Sequence, residues 1–187
     1  MTIDRRAIPL LAQPFYFLRH GQTESNVRGT IAGSLNIPLT ARGHAEARAA
    51  AVALEGRGVT VIYSSALRRA RDTPETIAAA LKLPVILIPN LAERNWGVLE
   101  GQPRELRAHG MNPLSAETAE EFTGRVLKGL AEVNSGGTPL IVAHSGIFRV
   151  LCRAVGMLEP VEPIANARPL RCIPPDGQHS AWHVEIL

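Results

Sequence analysis

The stretch Phe15-Tyr16-Phe17-Leu18-Arg19-His20-Gly21 is an unbroken apolar run that stops abruptly on a cation, an imidazole and a glycine. Four consecutive large apolar residues rich in aromatics read as a strand buried on both faces. Val59 to Tyr63, Pro84 to Ile88 and Leu140 to Ala143 repeat the pattern, and two of these also end on polar groups, Ser64-Ser65 and His144-Ser145-Gly146. Between the strands lie helical signals. Thr40 caps a helix expected to run through Glu55, with Ala45, Ala49, Val52 and Ala53 on one face. Ser64-Ser65 opens a second, carrying Arg68, Arg69 and Arg71, which Pro74 is expected to kink or restart with Thr73 as the new cap. Thr118 and Glu121 have capping-box spacing ahead of Phe122, Val126, Leu130 and Val133, and a last helix places Ile147, Val150, Leu151 and Ala154 on one side. Alternating strands and helices predict an α/β fold, a three-layer sandwich with a mainly parallel central sheet covered by helices on both faces. In such sheets ligands sit beyond the carboxyl ends of the strands. Two further strands, Leu170 to Ile173 and Trp182 to Ile186, flank the turn signal Pro174-Pro175-Asp176-Gly177.

The totals bound the answer. A chain of 187 residues with 45% hydrophobic and 20% charged residues reads as one domain, 1–187, with residues 1–13 as a loose N-terminal extension. No run approaches the ~20 apolar residues of a membrane span. Cys152 and Cys172 have neither metal-ligand spacing nor a disulfide framework, so a reduced, cytoplasmic protein is expected. The net charge of +3 suits an anionic partner, but the basic residues are spread along the chain. With 4% aromatic residues and no recognised binding motif, a nucleic-acid partner is not expected, nor is a membrane. Nothing in the sequence sets an oligomeric state.

Four segments in order carry a resemblance. Leu18-Arg19-His20-Gly21-Gln22-Thr23-Glu24-Ser25-Asn26 resembles the signature of the histidine phosphatase (phosphoglycerate mutase-like) superfamily. Ser64-Ser65-Ala66-Leu67-Arg68-Arg69-Ala70 resembles its second arginine segment, with Arg69 as the matching residue. The run Leu91 to Gly101 resembles its acid loop, with Glu93, and Val142-Ala143-His144-Ser145-Gly146 resembles its second-histidine segment. The match runs from about Phe15 to Val155. It departs from the family pattern at Thr73-Pro74 and at Ser145, where a glycine is often found.

The resemblance implies a phosphomonoester hydrolase acting through a phosphohistidine on a small phosphorylated metabolite. His20 is then the nucleophile, Arg19 and Arg69 the phosphate clamp, Glu93 the general acid and base, and His144 a donor to the phosphoryl oxygens. The chemistry is coherent. A phosphate dianion needs cations to hold phosphorus in line, and forked guanidiniums do this better than ammonium groups. Flanking cations keep a nucleophilic imidazole neutral, and His144 as a cation is expected to help do so. A carboxyl beside a phosphate dianion favours the acid form a leaving alkoxide needs. Gln22, Asn26 and Ser145 are expected to line the substrate site. The scheme requires no metal and no cofactor, and no P-loop or zinc spacing is present. Arg104, Arg107 and His109 either meet a second anionic group or form a solvated face, and the solvated face is preferred. The alternatives are phosphoglycerate mutase-type transfer and a non-catalytic phospho-ligand module. The short segment from Gln102 to Glu117, with its turn signal Met111-Asn112-Pro113, favours hydrolysis, because a mutase must shield its intermediate under a lid.

Overall fold

The computed structural model describes residues 8–107, 113–134, 136–176 and 180–187. The elements follow in the order β1 (Phe15–Arg19), α1 (Glu24–Arg28), α2 (Ala41–Leu54), β2 (Val59–Ser64), α3 (Arg68–Leu81), β3 (Val85–Leu87), α4 (Ala119–Ala131), β4 (Thr138–Ala143), α5 (Ser145–Val155), β5 (Leu170–Ile173) and β6 (His183–Ile186). They build one six-stranded sheet in the order β3-β2-β4-β1-β5-β6. The first four strands in this order are parallel, while β5 runs antiparallel to both β1 and β6.

Successive residues of a strand face opposite sides, and β1 feeds two cores in this way. Phe15 and Phe17 pack with Phe122, Val126 and Leu130 of α4 and with Ile147, Val150, Leu151 and Ala154 of α5. Tyr16 and Leu18 pack with Ala50, Ala51 and Leu54 of α2 and Ile77 of α3. Each large apolar side chain so buried contributes about 1.5–3 kcal/mol. This is the expected three-layer sandwich. Cys152 and Cys172 are free and buried. Among the described residues no helix is long and apolar enough to cross a membrane.

Three local expectations are corrected. The buried face of α2 is Gly43, Ala47, Ala50, Ala51 and Leu54, not the Ala45, Ala49, Val52, Ala53 face, and Val52 is 72% exposed. Alanines all around this helix hide its inner side, and the fit against the sheet selects the stripe that ends in Leu54. Pro74 neither restarts nor ends α3. A proline inside a helix leaves the carbonyl four residues earlier without its donor, and that carbonyl, of Ala70, accepts from Ser64 Oγ at 2.7 Å. Thr73 is therefore not a cap; its hydroxyl donates to the Arg69 carbonyl at 2.7 Å and accepts from Gly21 N–H at 3.0 Å. Finally, the N-terminal segment is not loose from Ile8 on. Pro9–Ala12 forms a 3-10 turn, and Ile8, Leu10 and Leu11 are buried in the α4/α5 core.

The expected caps form elsewhere. Thr40 accepts from Gly43 N–H at 3.0 Å, and Thr118 and Glu121 close a reciprocal box at 3.1 and 2.8 Å. The first turn of α2 lies directly on the loop after β1. A Cβ at Gly21 or at Gly43 would overlap backbone of the other segment, so both positions require glycine. In the turn signal at 174–177, Gly177 lies outside the described residues.

Candidate active site

β1 and β4 are neighbouring parallel strands in register, with Arg19 opposite Ala143. The next residue on each is therefore a histidine at the same level of the sheet edge. His20 N–H donates to the Ala143 carbonyl at 3.0 Å, and the His20 and His144 rings stand 5.2 Å apart. On the other side of β4, Ser65 N–H donates to the Val142 carbonyl at 3.1 Å. Strand ends 45 and 79 residues apart in sequence thus meet in a row, at the point where the strand order reverses.

His20 is 4% exposed. Its Nδ1 lies 2.8 Å from the Gly21 carbonyl, which can only accept, so Nδ1 carries the proton and Nε2 keeps its lone pair. Arg69 Nε donates to that Nε2 at 3.2 Å. Burial, then the Arg69 and Arg19 guanidiniums, push His20 well below the ordinary imidazole value of 6.5, so the ring is neutral as expected. His144 is fully buried and is also pushed well below 6.5, by burial and then by Arg69, His20, Arg19 and Arg125. This corrects the expected imidazolium. Three guanidiniums and a desolvated pocket disfavour a second positive ring, so the cationic field that keeps His20 neutral comes from the arginines alone.

Arg69 is 1% exposed and is held as a template would hold it. One terminal nitrogen donates to the Leu35 carbonyl and the other to the Gly33 carbonyl, both at 2.7 Å. Arg19 donates to the Ile164 carbonyl at 2.8 Å, and its Nε is buried without a partner. Burial lowers both guanidiniums to about 10, which leaves them charged at neutral pH.

Glu93 comes in from the acid loop. Its Oε1 accepts from Arg94 N–H at 2.9 Å and its Oε2 from Gly146 N–H at 3.1 Å, in the first turn of α5. A carboxylate at a helix N-terminus meets unsatisfied N–H groups. Gly146 is what permits the approach, because a Cβ there would overlap the Glu93 carboxylate.

Two residues that hold this loop escape sequence reasoning. Arg125 on α4 donates to the Asn90 and Ala92 carbonyls at 2.9 and 3.0 Å, reaches the Glu93 carbonyl at 3.4 Å, and grips both Glu117 carboxylate oxygens at 2.8 Å. At the far end, Glu100 accepts from Ser34 N–H at 2.7 Å and Trp96 N–H at 3.1 Å, fixing the turn whose Gly33 and Leu35 carbonyls hold Arg69. Only the capping box that places α4 hinted at Arg125. Apart from the Glu117 carboxylate that pairs with Arg125 and the Ser34 hydroxyl that donates to Glu100, the partners of both residues are backbone groups, which leave no side-chain pattern.

Of the expected lining residues, Asn26 is the best defined. Its Oδ1 accepts from Thr23 N–H and Oγ1 at 3.0 Å each and from Asn166 Nδ2 at 3.2 Å. The backbone donor fixes the amide orientation, so the NH2 group is what Asn26 offers a ligand. Ser145, at the start of α5, has a buried hydroxyl without a partner. Gln22 is turned to structure, its Oε1 accepting from Thr40 Oγ1 at 3.0 Å. Arg104 and Arg107 are half-buried, which corrects the solvated face. Arg107 lies over the Trp96 ring at 5.2 Å, and burial, with Arg104, Arg149 and Arg94 opposed by Glu93, lowers its pKa. His109 and His179 lie outside the described residues, as do Met111 and Asn112. Among the described residues no three His, Cys, Asp or Glu side chains are grouped as metal ligands.

Comparison with known proteins agrees with this geometry. The family model of the histidine phosphatase superfamily (branch 1) matches residues 15–167. The chain belongs to the histidine phosphatase superfamily. Among its relatives in that superfamily, the uncharacterized phosphatase PhoE of Bacillus subtilis is 34% identical over 150 residues, covering 76% of this chain and 77% of PhoE. The probable phosphoglycerate mutase GpmB of Escherichia fergusonii is 34% identical over 146 residues, covering 69% and 68%. A solved structure described as a putative alpha-ribazole-5'-P phosphatase from Escherichia coli shares the fold with a TM-score of 0.78 over 94% of this chain and 95% of that one, at 23% identity. Histidine phosphatases are enzymes, and their names among these relatives divide between phosphatase and mutase.

Proposed function

We propose that this histidine phosphatase is a phosphomonoester hydrolase that works through a phosphohistidine on His20 and acts on a small phosphorylated metabolite in the cytoplasm. The observation that carries the proposal is the state of His20. The ring is buried and neutral, its Nδ1–H is committed to the Gly21 carbonyl, and its Nε2 lone pair meets only a donor, Arg69 Nε. A phosphoryl group entering here takes over that donor and finds Arg19, Arg69, the Asn26 amide and the Ser145 hydroxyl around its oxygens. His20 Nε2 then attacks phosphorus, and the positive ring that results stays hydrogen-bonded through Nδ1–H to Gly21. The leaving alkoxide takes its proton from Glu93, held by Arg94 and Gly146 N–H groups. As a carboxylate, Glu93 next draws a proton from the water that attacks phosphohistidine, and His20 departs neutral. Charge is supplied by arginine throughout, so chelators are expected to leave turnover unchanged.

Hydrolysis is preferred to transfer because only sixteen residues, Gln102 to Glu117, separate the acid loop from Thr118, the cap of α4, and a phosphoenzyme open to water hydrolyses. The observation that favours a mutase is the half-buried Arg107 within the field of Glu93, a cation available to a second anionic group of the substrate. One preparation decides between them: phosphate release from small monoesters is expected to outpace interconversion of 3- and 2-phosphoglycerate, and the reverse ranking overturns the hydrolase.

A further inference from the structure

The contacts of Ser65 settle a question that the catalytic scheme leaves open, namely which nitrogen of His144 holds its proton. Ser65 directly follows β2 and is fully buried. Its Oγ accepts from Leu67 N–H at 3.3 Å and lies 2.9 Å from His144 Nε2. A backbone N–H can only donate, so one lone pair of the hydroxyl is taken. The hydroxyl hydrogen needs an acceptor, and His144 Nε2 is the one that its contacts supply. His144 Nδ1 is buried beside His20 without a partner. If Nε2 carried the proton instead, both the Ser65 hydrogen and the Nδ1 lone pair would be buried and unsatisfied, a doubly penalised arrangement.

We propose that Ser65 is a positioning residue that fixes His144 as the Nδ1–H tautomer, so that a buried, unspent donor awaits the phosphoryl oxygens. A neutral imidazole can serve an anion only through its one N–H, so the tautomer decides whether His144 helps or repels. The chain Leu67 N–H, Ser65 O–H, His144 Nε2 transmits the choice from backbone to ring. Its catalytic consequence rests on the reading of His20 as the phosphoryl acceptor.

The test is nitrogen NMR of protein labelled with 15N-histidine at neutral pH in phosphate-free buffer, with His144 assigned by its disappearance in His144→Gln. Nδ1 of His144 is expected at the protonated position and Nε2 at the unprotonated one. The opposite pattern in the parent protein overturns the proposal. In Ser65→Ala the fixed pattern is expected to be lost and kcat to fall about 10- to 100-fold, the usual cost of removing a group that orients a functional histidine, with KM changed much less. Ser65→Thr keeps the hydroxyl and is expected to restore both pattern and rate. Parent-like kcat in Ser65→Ala with the pattern lost refutes the catalytic consequence. Should His144→Gln turn over like the parent, the account of the site fails while the tautomer result stands on its own.

Discussion

Burying two histidines as neutral rings makes the stability of this protein depend on pH in a calculable way. His20 and His144 are held well below 6.5 in the folded chain and return to about 6.5 on unfolding. The sign follows from linkage. As pH falls through 6.5 the unfolded state takes up two protons that the folded state refuses, so stability is full above that value and is lost on acidification until the folded values are reached. Each ring then costs on the order of 1 kcal/mol between about pH 7.5 and about pH 5.5, and the pair roughly 2–3 kcal/mol. With a urea dependence of about 2.5 kcal/mol per molar, the unfolding midpoint should move by roughly 1 M. Beside burial, the groups that hold the rings neutral are Arg19, Arg69 and, at His144, Arg125; Arg19 and Arg69, lowered only to about 10, stay charged across this window. The assay is urea unfolding at the two pH values for the parent and for the double variant His20→Gln/His144→Gln, which removes both rings and keeps every other titrating group. Most of the parent's midpoint shift should vanish in the double variant. An equal shift in both proteins would refute the buried, neutral pair.

Arg69→Lys should cost at least about 100-fold in kcat/KM despite keeping the charge, because one ammonium cannot serve Gly33, Leu35 and His20 together and still meet phosphate. Arg68, exposed and paired with Asp72 at 3.4 Å, should tolerate lysine, and steady-state kinetics of the two variants check the register of this segment. Glu93→Gln should slow alkyl phosphate hydrolysis by about 10²–10⁴-fold and phosphorylation by activated aryl phosphates much less, a contrast visible in burst kinetics. Gly146→Ala should reproduce that contrast by displacing Glu93, at a stability cost of about 1–3 kcal/mol readable in thermal melts.

The strands and the residues at their ends were legible because both are written locally. A run such as Phe15 to Leu18 reads as buried, and a parallel sheet carries whatever follows each strand to one edge, so His20, Ser65 and His144 could be placed near one another from strand order, while Arg69 and Glu93 joined them only through the family resemblance. Less legible were features fixed by partners distant in sequence. Pro74 signals a break, yet α3 continues because Ser64 satisfies the Ala70 carbonyl. The alanines of α2 give no stripe to read. Ile8, Leu10 and Leu11 are too few to show a period, but the α4/α5 core accepts them. Arg125 and Glu100 hold the site largely through backbone carbonyls and N–H groups that any sequence would supply. The charge of His144 depends on how many guanidiniums surround it and how dry the pocket is, and neither is visible before the chain folds.

The central claim is that phosphate passes through His20, and trapping the intermediate tests it most directly. The parent protein, mixed with a labelled aryl phosphate and quenched within milliseconds, should yield a phosphoprotein that is stable to alkali, labile to acid and mapped to His20, with at most one phosphate per chain. His20→Ala should show neither the adduct nor turnover. Steady hydrolysis by His20→Ala, or label found on a residue other than His20 in the parent, would contradict the account.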